Sequence, residues 1–153
     1  NINTAPYSAP FPFTINEVYE SIDTILPSIE IRDSRFKNWT TIGINNLIAD
    51  NAANAYWIFG DENNNINQFN LYDFPVNLSI NNNLIYKGNS YKVLNHPFYS
   101  LTWLINTLVL QGKTLPKNSY ISTGTCTPAL PVNIHDTISA DFGALGIVKF
   151  KLI

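Results

Sequence analysis

The 153 residues contain no methionine and a single cysteine, Cys126. One cysteine permits no disulfide within the chain and favours a reducing, cytoplasmic setting. Without methionine, Asn1 is not an initiating residue, so the chain reads as a processed, truncated or cleaved product. Charge is scarce too, since Asp, Glu, Lys and Arg together make up 13% of residues. The basic residues are scattered and the formal net charge is -2, so there is no basic cluster whose contacts would release counterions from a nucleic acid. No apolar run approaches the roughly 20 residues that a membrane helix needs. The opening NINTAPYSAP has neither a basic nor an apolar leader region. Nucleic acid and membrane are therefore not expected partners, and a soluble protein is.

What is present is a core. A hydrophobic content of 45%, with 13% aromatic, is enough for one globular domain, and the elements along the chain, in which strands outnumber helices, make it α+β, mostly β. Pro6, Pro10 and Pro12 make residues 1–14 an extended arm or loop, because each removes a backbone donor and restricts φ. The domain is assigned to residues 15–153. Thr14 followed by Glu17 is a capping-box pattern, and Val18, Ile22 and Ile25 recur at helical spacing as far as Pro27. Ser28 to Arg32 alternates as a strand, with Ile29 and Ile31 on one face and Glu30 and Arg32 on the other. The small residues of ADNAANA, 49–55, let backbones approach closely, and Tyr56 to Phe59 reads as a strand ended by Gly60. Two strands, Leu71 to Ile80 and Asn83 to Lys87, meet at an Asn81-Asn82-Asn83 turn, where Asn tolerates the left-handed conformation. His96-Pro97 opens a helix with an apolar stripe at Leu101, Leu104, Ile105, Leu108 and Val109 and a capping Gly112. Tyr120 to Ser122, Thr137 to Phe142 and Gly146 to Leu152 complete the strands.

Several residues carry chemistry of their own. PSIEIRDSRF, 27–36, gathers Glu30, Arg32, Asp33 and Arg35 in a chain otherwise poor in charge. Glu30 is open to three readings: metal ligand, general base, or half of an ion pair with Arg32 or Arg35. Charges adjacent on a half-buried strand usually pair or face water, and Asp33 with Arg35 reads as an ion-paired turn. One carboxylate does not make a hard-metal site, and the other acids show no paired spacing. Ser122-Thr123-Gly124-Thr125 offers amides and hydroxyls suited to a carboxylate or oxyanion, or is simply a capped turn. His135 beside Asp136 lacks a nucleophile, so a catalytic dyad is not expected. His96 caps or packs at a helix start, and Cys126 reads as a small buried residue rather than a nucleophile.

Three segments extend the reading: EIRDSRF with ADNAANA, then HPFYSLTWLINTLVLQGKTL, then ISTGTCTPALPVNIHDTISADFGALGIVKF. Together they resemble the C-terminal part of the 2-keto-4-pentenoate hydratases of the fumarylacetoacetate hydrolase superfamily, with relatives such as 4-oxalocrotonate decarboxylase. The resemblance implies a mixed β-roll, incomplete here at its N-terminus. It also implies a lyase that adds water to a 2-hydroxydienoate or 2-oxo acid. A related decarboxylase, a C–C bond hydrolase and a non-catalytic remnant of the fold are the alternatives. In such enzymes Mg²⁺ or Mn²⁺ rests on three carboxylates, two from an E-x-E motif and one from the strand before D-S-R. Glu30 matches the third, and Thr123 with Gly124 matches a substrate-facing turn. No E-x-E occurs in these residues, a lysine-containing N-terminal region is absent, and Ala53 stands where relatives commonly carry Ser. The implied whole is a longer enzyme. This chain by itself is expected to bind metal poorly, to lack activity, and to associate with the missing half or with copies of itself.

Overall fold

The computed structural model describes residues 11–153, so all but the end of the expected arm lies outside the described residues. The first helix, α1 (Ile15–Glu20), starts on the capping box. The Glu17 amide donates to Thr14 Oγ1 at 3.3 Å, and the Thr14 amide donates to Glu17 Oε2 at 2.7 Å. The helix ends at Glu20 rather than near Pro27 because the chain beyond it is claimed by a distant segment. Ile25 and Asn63 exchange backbone hydrogen bonds of 2.9 and 2.8 Å, which a helix through Ile25 would forbid.

Helix α3 (Pro97–Leu110) packs on α1, with α2 (Ile44–Ala49) lying between them in the sequence. His96 caps α3 by accepting from the Phe98 amide at 3.0 Å, and Pro97 occupies the first turn, where no amide is needed. Gly112, at φ 68°, closes the other end. Its amide bonds Val109 O and the Lys113 amide bonds Leu108 O, the paired contacts of a left-handed C-terminal cap. Phe13, Val18, Leu101 and Ile105 form the core between the helices. Asn106 clamps the entering chain by bonding both the amide and the carbonyl of Phe13, at 2.9 and 3.0 Å.

Among the described residues six strands form two sheets. An antiparallel sheet runs β4-β3-β5-β6, built from β3 (Pro75–Ile80), β4 (Asn83–Asn89), β5 (Thr137–Asp141) and β6 (Ile147–Lys151). The β3–β4 turn holds Asn81 and Asn82 at φ 52° and 66°, the left-handed pair that suits a twisted hairpin. Val76, Ile138, Ala140 and Val148 bury the inner face. The second sheet is a ribbon of β1 (Ser28–Arg32) and β2 (Asn54–Phe59), in which Glu30 stands opposite Trp57.

Among the described residues helical segments, counting five three-residue 3₁₀ turns, and strands take about equal shares, so the expected excess of strand is not found there. Part of the reason is the stretch after α3, which is irregular up to β5, including the expected strand Tyr120 to Ser122. Pro116, Pro128 and Pro131 withhold ladder donors there, and Gly124 sits at φ 133°. This stretch presses onto β4: a Cβ on Gly88 would lie 2.3 Å from the Cys126 carbonyl oxygen, so only glycine fits. No helix among the described residues is long and apolar enough to cross a membrane.

Candidate functional site

Between the β1–β2 ribbon, the inner face of the four-stranded sheet and the irregular stretch lies a cavity of about 680 Å³. Apolar side chains such as Leu78, Phe98 and Ile138 line most of it. Glu30 and Arg32 reach it from β1, and Thr123 and Gly124 from the irregular stretch. The fold thus gathers the three residues singled out in the sequence, Glu30, Thr123 and Gly124, on one cavity. Among the described lining residues, Glu30 is the only carboxylate and Arg32 the only cation.

Alternation along β1 sets Glu30 and Arg32 on the same face. Asn54, at the start of β2, donates from Nδ2 to Glu30 Oε1 at 2.9 Å. Arg32 Nε lies 3.7 Å from Glu30 Oε2, and the side chains of Arg32 and Glu30 are 41% and 36% exposed. A pair that long and that solvated stabilises little.

The turn behind β1 corrects one expectation. Arg35 pairs with Asp50, not with Asp33: its Nη1 lies 2.6 Å from Asp50 Oδ1, while the Asp50 side chain is fully buried. Ser34 Oγ donates to the other Asp50 oxygen at 2.5 Å. The Ser34 hydroxyl first, and then the Arg35 guanidinium, hold the Asp50 carboxyl below its ordinary range. Sequence spacing gave no sign of this, because Asp50 is separated from both partners by a loop and a helix. The one local clue was the run of small residues after it. Asn51, Ala52 and Ala53 stand at φ 54°, 54° and 60°, three successive non-glycine residues in the left-handed region. The two alanines are each disfavoured there by roughly 1–2 kcal/mol, so the run persists only because its surroundings dictate it. The Ala53 amide bonds Asp50 O at 3.0 Å, and the Asp33 amide bonds Ala53 O at 2.9 Å. The run swings the chain into β2 and delivers Asn54 to Glu30. Ala53, an alanine and so without a hydroxyl, is buried and is not among the residues that line the cavity.

On the facing wall, Gly124 touches Val93, whose Cγ1 would stand 3.0 Å from a Cβ there. Ser122, Thr123 and Gly124 make no hydrogen bond among the described residues, whereas Thr125 Oγ1 ties the turn by donating to Thr127 O at 2.6 Å. The free amides and hydroxyls suit an oxyanion. Tyr120 stacks on Phe59, with ring centroids 5.4 Å apart, and gives its hydroxyl proton to a hydrogen bond with Glu62. That bond and one from Thr24 hold the Glu62 carboxyl low. Trp57 Nε1 is enclosed and has no hydrogen-bond acceptor among the described residues; its ring meets Phe59 edge-on.

The remaining sequence candidates have structural uses. Asp136 accepts from the Asn133 amide at 2.8 Å and from Asn81 Nδ2 at 2.6 Å, tying hairpin ends together rather than serving His135. Cys126 lines the cavity half-buried, and burial pushes its thiol up, away from the reactive thiolate.

Among the described residues no three His, Cys, Asp or Glu side chains come together as a metal site. A single carboxylate already engaged by Asn54 does not by itself fit Mg²⁺, which is reluctant to give up its water shell. The described residues alone therefore do not make up a divalent-cation site.

No protein-family model matches the chain. It is 30% identical over 139 residues to 4-oxalocrotonate decarboxylase of Pseudomonas putida, covering 91% of this chain and 52% of that protein. It is 28% identical over 145 residues to 2-oxo-hept-4-ene-1,7-dioate hydratase of Escherichia coli, covering 92% of this chain and 54% of that protein. To 2-keto-4-pentenoate hydratase 1 of Dechloromonas aromatica the identity is 26% over 136 residues, 89% of this chain and 51% of that protein. The solved structure of 4-oxalocrotonate decarboxylase from Pseudomonas putida G7, complexed with magnesium and adipate, superposes with a TM-score of 0.84 at 30% identity. That match covers 91% of this chain and 52% of the other. The chain spans about half the length of the relatives it matches. With the fold matched and nine-tenths of the chain aligned at 26% to 30% identity, the chain belongs to the family of the 2-keto-4-pentenoate hydratases and 4-oxalocrotonate decarboxylases.

Proposed function

We propose that the whole protein is a lyase acting on an unsaturated 2-oxo acid or its 2-hydroxydienoate form, with water addition as the reaction. The observation that carries this reading is the convergence of Glu30, Thr123 and Gly124 on one largely apolar cavity. The apolar walls suit the carbon skeleton of such a substrate, and the unbonded Thr123 and Gly124 groups are placed to donate to a substrate oxyanion. Glu30 is read as one oxygen ligand of a divalent cation, magnesium or manganese. Its co-ligands lie outside these 153 residues, and the complete mixed β-roll belongs to the same reading. Decarboxylation is the second reading, supported by the higher identity, 30% and 31%, to two 4-oxalocrotonate decarboxylases. The single carboxylate and the buried Ala53 support a third, a non-catalytic form of the fold.

Assays of the whole protein with 2-hydroxypenta-2,4-dienoate, 4-oxalocrotonate and an acylpyruvate, with and without Mg²⁺, separate these readings. Turnover of the dienoate, abolished by Glu30→Gln with the fold intact by circular dichroism, is the expected result. Unchanged turnover in Glu30→Gln sinks the assignment of Glu30. Turnover of 4-oxalocrotonate alone favours the decarboxylase, and no turnover of any of the three favours the non-catalytic form. The 153-residue chain by itself is expected to be inactive. Light scattering checks whether it associates through exposed residues such as Tyr56 and Phe59, which are 69% and 48% exposed.

A further inference from the structure

Arg32 has no part in the reading above, yet it stands on the same cavity wall as Glu30. We propose that Arg32 is the residue that receives the carboxylate of the ligand and makes the cavity prefer acids to neutral analogues. This rests on the reading that the cavity takes a 2-oxo acid.

Three observations carry it. First, among the described lining residues Arg32 is the only cation, in a cavity whose walls are mostly apolar. A carboxylate brought into such surroundings without a charged partner is strongly penalised. Second, the guanidinium is uncommitted. Its contact to Glu30 is 3.7 Å, longer than a hydrogen bond, and its N–H groups make no hydrogen bond among the described residues. Arg35, two residues on, shows the opposite state, bound to buried Asp50 at 2.6 Å. Third, Arg32 keeps 41% of its side chain exposed, so the fork of donors is open to an incoming anion rather than packed away. The planar guanidinium matches a carboxylate with two parallel bonds, which an ammonium does not. Thr123 and Gly124, elsewhere in the cavity lining, are left to bond the oxyanion that develops away from that carboxylate.

Isothermal titration of the whole protein with 2-oxobutanoate and with its methyl ester tests this. The wild type is expected to prefer the acid by at least about ten-fold. Arg32→Gln is expected to weaken acid binding about thirty-fold and to leave ester binding unchanged, the size of a lost charged hydrogen-bond pair. Arg32→Lys keeps the charge without the fork and is expected to fall between the two. Should Arg32→Gln fail to fold, the Lys variant decides, through a several-fold loss for the acid alone. An unchanged acid-to-ester ratio in a folded Arg32→Gln protein overturns the assignment of Arg32 and leaves the proposed function standing. An equal loss for acid and ester also overturns it. A wild type that binds neither compound overturns both.

Discussion

Between α1 and α3, Phe13, Val18, Leu101 and Ile105 are at most 5% exposed, whereas no residue of β1 or β2 is fully buried. The helix pair is held by apolar surface withdrawn from water. The ribbon depends instead on its ladder, on the Asp50 hydrogen bonds behind it and on a left-handed run that its neighbours hold in place. Glu30 and Arg32 sit on the less buried of the two regions, as the roles proposed for them require, because polar groups that reach a ligand cannot also be packed away. Shape there has to come from directional bonds. The buried Asp50 is where those bonds meet, one turn behind the residues that face the cavity.

The contrast can be broken most forcefully from the helix side. Ile105 is 1% exposed in the helix core, and Ile105→Ala is expected to destabilise the protein by about 2–5 kcal/mol, read from urea unfolding. A loss under about 1 kcal/mol would mean that the helix core is no tighter than the ribbon.

A smaller effect, with a pH signature, is expected from Asp50→Asn. The folded Asp50 carboxyl is held low by Ser34 and Arg35. Its contribution is therefore complete above the ordinary carboxylate value of about 3.9 and is lost as pH falls through the lower folded value. Wild type should be more stable than Asp50→Asn at pH 7, and the difference should close as the solution is acidified through that window. Amide exchange at Asp33 should quicken in the variant while β5 keeps its protection. A gap that stays constant with pH would show that the ribbon does not rest on the charge of Asp50.

The smallest change sharpens the comparison by relieving the ribbon. Ala52 stands at φ 54°, and Ala52→Gly removes the Cβ clash of the left-handed conformation. It is expected to stabilise by up to about 1 kcal/mol, offset in part by the entropy glycine adds to the unfolded chain. Thermal melts in which Ala52→Gly lies well below wild type would show that the run is not strained.

The features legible in the residues are those decided within a few positions. Thr14 and Glu17 cap α1, Asn81 and Asn82 turn the hairpin, Gly112 ends α3, and alternation places Glu30 with Arg32 on one face of β1. Each depends on contacts a turn or less apart, so the side chains that decide it are neighbours in the chain. Family membership was legible for a related reason, since the matching segments are continuous stretches read residue by residue, two of which hold the β1 face of Glu30 and Arg32 and the Gly112 cap. What only the tertiary structure decided involves partners far apart in sequence. Ile25 left helix for a pairing with Asn63, Arg35 chose Asp50 over the nearer Asp33, and the stretch after α3 became an irregular wall against Gly88 instead of a strand. The meeting of Glu30 and Arg32 with Thr123 and Gly124 is of the same kind. Such pairings depend on which groups lose water together once the chain has closed on itself, and spacing along a sequence carries no record of that.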